Sequence, residues 1–544
     1  MTPPPEAPAT GPAAAPPAPP APPPLPRAAL YVAAGVLIAL AQALGSGLIL
    51  TNTQVLGGAL HTTSIETTWL IAAFMAPRAS LALLLIKLRT QFGLRRFAEV
   101  SVVAYVAALL ASFWMTDLPS AIALQFLAGI AAAPMSSLAF LYTLEAFPPA
   151  LKMKVALPLV LTLITIGTPL ARMISPWLET AGNPHVFTLL NLGLALLCTA
   201  FVTRLPLNPM PRAKVISLTD LISYAFLALG LGGLTVVFVT GTGYWWAEAP
   251  WIGVLTAVSI AALAIAVVIE LQREAPLIDV RWIASPAILH LAAALLLFRI
   301  LLAEQSAGAP GLFLQLGLGT EQLQPLFIVI CAATLAGGAA CALVIAPGRE
   351  GPIHLVALAL IAWAAWADSH ASVLTRPEQM FLTQGTIAFA SALFLPPAMM
   401  AGLMSALARG PSYILSFIVV FLTTQSLGGV AGSALFRSFV TLREQAHLAW
   451  LRDGLDAANP LVGQTLAGRA AGYAGQIADP ALRQGQAAAD LARSLASQAW
   501  VAAYNDAFRA IAVAAAAAFL ILFLQVALKA VRARGAAAAA PESA

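Results

Sequence analysis

Long apolar runs recur along this chain, each closed off by a short polar break. Fourteen can be counted, at roughly 28–50, 67–86, 98–116, 120–143, 155–177, 186–203, 218–240, 251–271, 286–304, 323–346, 353–367, 380–405, 411–436 and 507–531. About 20 apolar residues in a helix match the hydrocarbon thickness of a bilayer, so each run predicts one membrane-crossing helix. The eleventh is the shortest. Pro396-Pro397 sits inside the twelfth and predicts a bend there. One polar break is long, roughly Ser438–Asn505. Within it Asp479-Pro480 reads as a helix start, followed by an Ala/Leu/Gln-rich helical run towards Trp500. This segment is either a solvated hairpin or a docking surface for a partner outside the membrane.

Composition supports the same class. Of 544 residues, 60% are hydrophobic and 9% charged, against about 25% charged in soluble domains. The chain therefore reads as an all-α polytopic membrane protein. Its net charge of +5 carries no nucleic-acid signal, because most basic residues lie between spans. Cys198, Cys331 and Cys341 fall inside apolar runs without metal-like spacing and read as small buried hydrophobes. The stretch 1–27 is Pro/Ala-rich and predicts an extended, disordered tail, not a cleavable signal. Residues 534–544 read as a second loose end. Between the tails the division is 28–204, an inserted pair at 218–271, and 286–533 including the loop 438–505.

Lysine and arginine set the orientation. With fourteen spans both ends share one side, and that side holds Arg27, Lys87, Arg95, Arg96, Lys152, Lys154, Arg212, Arg273 and Arg281 among others. The short loops opposite hold Arg376 alone. The positive-inside rule then places both termini in the cytoplasm. Trp69, Trp114, Trp177, Trp245, Trp246 and Trp251 gather at the outer interface, as an aromatic belt does.

Charges inside spans are the candidate chemistry. The stretch Pro286–Gln305 carries Arg299, with His290 and Glu304 near its ends. A guanidinium stays protonated at any accessible pH, and placing one in hydrocarbon costs from about 3 to more than 10 kcal/mol. Arg299 must therefore face a protein interior or a watery cavity. Arg78, deep in the second span, and Arg172, towards the outer end of the fifth, join it. Three intramembrane arginines with few intramembrane acids imply a cavity of positive potential that attracts anions or amphipathic weak acids. Each can also bond helix-end carbonyls or snorkel outwards. Glu304 is the first candidate for proton exchange, Glu66 the second, and His290 a third, although a buried hydrogen-bonded histidine is the plainer reading of His290. His61, His185, His354, His370 and His447 form no metal spacing, and no metal or cofactor is expected. There is no G-x-x-x-x-G-K-[ST] loop and no recognisable nucleophile motif, so nothing points to an enzyme.

Several local runs carry a resemblance. They are Gln498-Ala-Trp-Val-Ala-Ala-Tyr-Asn-Asp-Ala-Phe508 before the last span, Gln425-Ser-Leu-Gly-Gly-Val-Ala-Gly432 in the thirteenth, Gly129 with Pro134 in the fourth, and Phe147-Pro-Pro149 after it. In order and spacing these resemble the major facilitator superfamily, within it the fourteen-span drug:proton antiporters of the EmrB-like group. The loop Ile86-Lys-Leu-Arg-Thr-Gln-Phe-Gly-Leu-Arg-Arg96 is similar to the family's G-x-L-x-D-R-x-G-R-R. It keeps Gly93 and Arg95, with Arg96 beside them, but has Thr90 at the acid. The first-span acid tied to proton coupling falls at Gly45, and the fourth-span arginine at Gln125.

The resemblance implies two six-helix bundles plus an inserted pair, with Gly93, Arg95 and Arg96 in a cytoplasmic gating loop. It implies proton-coupled export of lipophilic or amphipathic organic compounds from a bacterial inner membrane, with a periplasmic adaptor and an outer-membrane channel as partners. The missing acid leaves two other readings open, a non-transporting scaffold or sensor and an importer of organic anions.

Overall fold

A computed structural model of the chain describes residues 23–179, 185–209, 212–274, 276–410, 413–455 and 460–539. Among them there is no strand. Thirteen helices are long and apolar enough to cross a membrane, and a bent pair, Pro149–Thr165 with Gly167–Glu179, makes a fourteenth crossing broken by 43°. The protein is a multi-pass membrane protein. With an even number of crossings, both described ends lie on one face, called here the terminal side; the other is the far side.

The ends differ from expectation. Most of the tail 1–27 lies outside the described residues, but the first helix already begins at Leu25, with Pro26 in its first turn, where proline's missing N–H costs nothing. At the other end the last helix continues to Ala539, so 534–539 is helical and only 540–544 lies outside the described residues. The ninth span runs past its expected end at 304. It continues as a π turn, Glu304–Gly308, and a further helix to Gln315. The run Gln305-Ser-Ala-Gly looks like a loop because it is polar and small. Pro396-Pro397 stand within a continuous helix, Phe381–Leu407, whereas the break falls in the fifth span at Ile166.

Two apolar cores divide the molecule. One is built from the first six spans around Ile38, Val102, Leu138, Tyr142 and Ala195. The other gathers the ninth to fourteenth spans around Leu295, Phe298, Phe313, Leu326, Ile361, Phe417 and Phe508. Leu157 and Leu161 of the fifth span belong to the second core, so the first half reaches into the other there. The seventh and eighth spans, Leu218–Tyr244 and Pro250–Leu271, lie outside both. The seventh packs on the second and on the thirteenth, with Leu83, Leu84, Leu227, Leu231 and Val419 in one cluster. The inserted pair thus covers a seam between the halves.

On the terminal side that pair is locked by charge. Lys87 at the end of the second span meets Asp220 at 2.6 Å; Arg273 also bonds Asp220, and meets Glu270 at 3.0 Å. Both carboxylates are almost wholly buried. Glu270 also accepts from Ser223 Oγ and from the amides of Leu277 and Ile278. Burial opposes the charge on Arg273, but its bonds to Asp220 and Glu270 outweigh this and hold its pKa above the ordinary value. Ala213 N and Ile216 N bond Thr90 O and Gln91 Oε1, which tethers the preceding linker to the same end of the second span.

On the far side the loop 438–505 is a helical projection. The thirteenth helix, Tyr413–Asp453, continues out of its apolar part, Pro460–Gly472 forms a short helix, and Pro480 opens the last helix, capped by Asp479 Oδ1 on Ala481 N at 2.8 Å. The run before the last span staples this projection down. Asp506 accepts from Arg443 Nε at 2.8 Å and meets His447 Nε2 at 2.8 Å, and Asn505 Nδ2 donates to Ala371 O at 2.8 Å. Trp69, Tyr244 and Trp251 cluster on the same side, and Trp246 Nε1 donates to Ser438 Oγ.

Asp220→Asn should strip the acceptor from between two buried cations. The expected cost is about 3–5 kcal/mol, read as a lower melting temperature of the purified protein in detergent, with Asp220→Glu retaining part of the loss. An unchanged melting temperature for Asp220→Asn would show that the network does not hold the inserted pair.

Candidate functional site

Two of the arginines, Arg172 and Arg437, lie close together where the fifth, ninth and thirteenth spans converge, and Arg299 lies apart from them between the ninth and thirteenth. Arg172 Nη2 crosses from the fifth span to the carbonyl of Ser306 in the ninth, at 3.1 Å, and its Cζ lies over the Phe327 ring of the tenth at 5.2 Å. Arg437 of the thirteenth lies close enough for its charge to act on Arg172. Ser306 Oγ and Ser433 Oγ approach to 3.3 Å in the same place. Arg299 lies along the thirteenth helix against Gly428, Gly429 and Gly432. A Cβ on Gly429 would overlap its guanidinium, and one on Gly432 would stand 3.0 Å from its carbonyl oxygen. The glycines therefore let the two helices touch and leave a slot for the side chain. Arg78 stands apart. Its Cζ lies 5.8 Å from the Phe74 ring, and Tyr105 is its other polar neighbour.

None of the four has a carboxylate partner among the described residues. Arg172 uses one N–H on a carbonyl, Arg299 Nε is buried without an acceptor, and Arg78 and Arg437 make no hydrogen bond to another described residue. Arg437 is exposed and the other three half-buried, so donors remain open to whatever occupies the space beside them.

The acids lie elsewhere. Glu304, expected at a span edge, is fully buried in the π turn of the ninth span. Its neighbour is the carboxyl of Asp368, buried at the end of the eleventh. Glu66 is a capping residue instead. Its carboxylate accepts from Thr63 N and Thr63 Oγ1, both at 2.9 Å, and closes the N-terminus of the second span. His290 is exposed on the ninth span, not buried. That corrects the plainer expectation, since its neighbours on that face, Leu289 and Ala293, are exposed as well.

The halves are closed against each other on the far side. Gln324 Nε2 donates to Met173 O at 2.9 Å and Thr320 Oγ1 to Glu179 Oε2 at 3.3 Å, beside the Arg172–Ser306 contact. Comparison with known structures follows this architecture. The human organic anion transporter MFSD10 (TETRAN) superposes with a TM-score of 0.56 at 15% identity, over 92% of this chain and 100% of that one. A bacterial homologue of the human drug peptide transporters PepT1 and PepT2 gives 0.54 at 12% identity, over 92% and 99%. The nucleoside transporter NupG gives 0.50 at 11%, over 91% and 100%. The chain has the major facilitator fold. No family model matches it, and no curated protein matches it by sequence.

The fold puts the resemblance's missing acid in physical terms. A Cβ at Gly45 would stand 2.5 Å from Tyr105 OH and 2.7 Å from Asn191 Nδ2. Those two groups bond each other at 2.8 Å, and Tyr105 OH donates to Ala41 O at 3.1 Å. The place where the antiporters are expected to carry a carboxylate is occupied by a tyrosine and an asparagine from the third and sixth spans. In the loop between the second and third spans, Gly93 has φ +81° and caps the third span; a Cβ there would also meet Arg212 Nε at 2.7 Å. Arg95 pairs with Glu99 on its own helix at 2.9 Å, and Arg96 is exposed. The charged contact that ties the second span on this side is Lys87–Asp220, with the acid supplied by the inserted pair.

Two residues were missed by the sequence reading, and for one reason. Asp368 and Arg437 each stand one residue beyond the apolar run that ends at 367 or 436. Helices do not stop where apolarity does. A charge flush against a span end, followed by more helix-forming residues, is the signal that would have found them.

Gly45→Asp should fail to install a proton carrier in the major facilitator fold. The side chain must displace Tyr105 or Asn191, an overpacking cost of about 1–3 kcal/mol. We expect a lower melting temperature and lower yield of monodisperse protein. A variant as stable as the parent would show that the Tyr105–Asn191 pair does not fill that site.

Proposed function

We propose that this protein is a secondary transporter of amphipathic organic anions, working by alternating access between its two six-helix bundles. The observation that carries the reading is the set Arg78, Arg172, Arg299 and Arg437, four guanidiniums within or at the end of spans, with no carboxylate beside them among the described residues. An unpartnered guanidinium in a helix bundle is costly. A carboxylate, sulfate or phosphate head on the substrate supplies the missing acceptors by bidentate bonds, and the apolar walls accept its tail. Arg172 has a further role. Its N–H is spent on Ser306 O across the halves, so a substrate head that draws this guanidinium away weakens the far-side closure.

Export driven by proton influx is the direction that the resemblance supports, with both termini in the cytoplasm of a bacterial inner membrane. The far-side projection is then where a periplasmic adaptor would sit, leading to an outer-membrane channel. The neighbour named as an organic anion transporter shares the fold alone; the anion reading here rests on this chain's arginines.

The test is uptake into inverted vesicles under an imposed pH gradient, with matched panels of anionic and cationic amphiphiles. Anions should accumulate, and a protonophore should collapse the gradient they form. Arg299→Ala and Arg437→Ala should each lower uptake roughly tenfold or more, as the loss of a charge-assisted hydrogen bond implies, at equal levels of inserted protein. Unchanged uptake in both variants, or preference for cations, would sink the anion reading. No uptake of any compound would favour the scaffold reading.

A further inference from the structure

Buried oxygen atoms that no donor reaches call for a cation. Neither carboxyl oxygen of Glu304 accepts a hydrogen bond from a donor among the described residues, and the Oε1 of Gln384 is also unmatched. What faces Glu304 is the carboxyl of Asp368. Asp368 is held in place from the twelfth span by Gln384 Nε2, which donates to Oδ2 at 2.7 Å. Glu304 is 0% and Asp368 4% exposed, so neither carboxyl faces bulk water. Two ionised carboxylates in contact there would repel one another and lack donors. One proton changes this, because a protonated carboxyl is a donor to its ionised neighbour.

We propose that Glu304 and Asp368 form a single proton-binding site, and that its occupancy is coupled through the π turn to the far-side closure. This rests on the transport reading and names the coupling ion's place in it. The turn Glu304–Gly308 faces two ways. Glu304 meets Asp368, and Gln305 Nε2 donates to Gln384 O at 3.0 Å, both inside the second bundle. The carbonyl of the next residue, Ser306, accepts from Arg172 of the first bundle, and the Ser306 hydroxyl lies 3.3 Å from that of Ser433. A π turn is an irregularity within an α-helix that is frequent at functional sites. With the proton bound, the pair holds the turn as seen and Ser306 O stays on Arg172. When the proton leaves, the two carboxylates part, the turn re-registers and Arg172 is released. The proton passes to water and no other bond is made or broken.

The surroundings admit few other charges. Phe508 and Tyr504 of the last span and Phe436 of the thirteenth pack on the turn at Gly308 and Gly311. His370, two residues after Asp368, is exposed and bonds Trp366 O at 3.0 Å. The cations on the other side are Arg172, which reaches only the carbonyl of Ser306, and Arg437 beside it.

The experiment uses the full-length protein in three measurements. Infrared difference spectra between acid and alkaline buffer should show a protonated-carboxyl C=O band that disappears in both Glu304→Gln and Asp368→Asn. In Ser433→Cys protein, labelling from the far side by an impermeant thiol reagent should rise several-fold as pH is raised, and Glu304→Gln should remove that rise. Glu304→Gln should also lower pH-driven accumulation by tenfold or more. A band that persists in both variants overturns the proposal, as does a melting temperature that climbs with sodium but not potassium at fixed pH, which would make the site a sodium site. pH-driven transport that survives in both variants also overturns it, with the transport reading intact. A carboxyl pair with the expected band in a protein that moves no anion would instead leave the proton site standing and remove the transport reading.

Discussion

A helix that carries an arginine through a membrane dictates what must stand beside it, because the guanidinium cannot shed its charge. This chain meets that constraint in two ways. At the terminal side Arg273 and Lys87 are matched by Asp220 and Glu270, buried carboxylates that are themselves fully bonded. Within the helix bundle Arg172, Arg299, Arg437 and Arg78 are left with carbonyls, rings and glycine faces. The first arrangement fixes two helices to a third. The second leaves a deficit that the protein does not fill itself, and it is the deficit that makes a transport reading more than a matter of fold.

Carboxylates obey the opposite rule, since they can lose their charge. Glu304 and Asp368 sit where an arginine could not be tolerated without an anion, away from the guanidiniums and against each other. Placing positive and titratable groups on opposite faces of one π turn keeps them from neutralising one another directly. A salt bridge between Glu304 and Arg172 would be stable and inert; the intervening peptide leaves each free to change state.

Much of this was legible in the sequence. The fourteen apolar runs match the fourteen crossings, because hydrocarbon thickness leaves little freedom in where a helix must be apolar. The arginines were visible as exceptions to that rule. What escaped were the continuations. The ninth span passes through Gln305-Ser-Ala-Gly without stopping, the thirteenth runs on to Asp453, and the first helix starts inside the expected tail. Hydropathy marks where lipid begins; backbone hydrogen bonding decides where a helix ends, and small or polar residues shielded by neighbours are compatible with it. Pairings were invisible as well. Nothing in the sequence brings Asp220 to Lys87 across the inserted pair, or Asp368 to Glu304, because each contact depends on how helices far apart in the chain are packed. The glycine at 45 could be read as a loss, but only packing shows that Tyr105 and Asn191 have taken the space.

The unbroken length of the thirteenth helix has a mechanical consequence. Its 41 residues make a rod of about 60 Å, held near its middle by the glycines that cradle Arg299 and tied further out to the last helix through Arg443, His447 and Asp506. The last helix, joined to it by Asp506, forms the second arm of the same lever. The arm beyond the Arg299 contact is about 30 Å long, so a tilt of a few degrees there moves the outer tip by about 2 Å. Motion within the bilayer is thus delivered, without a flexible joint, to whatever touches the far end.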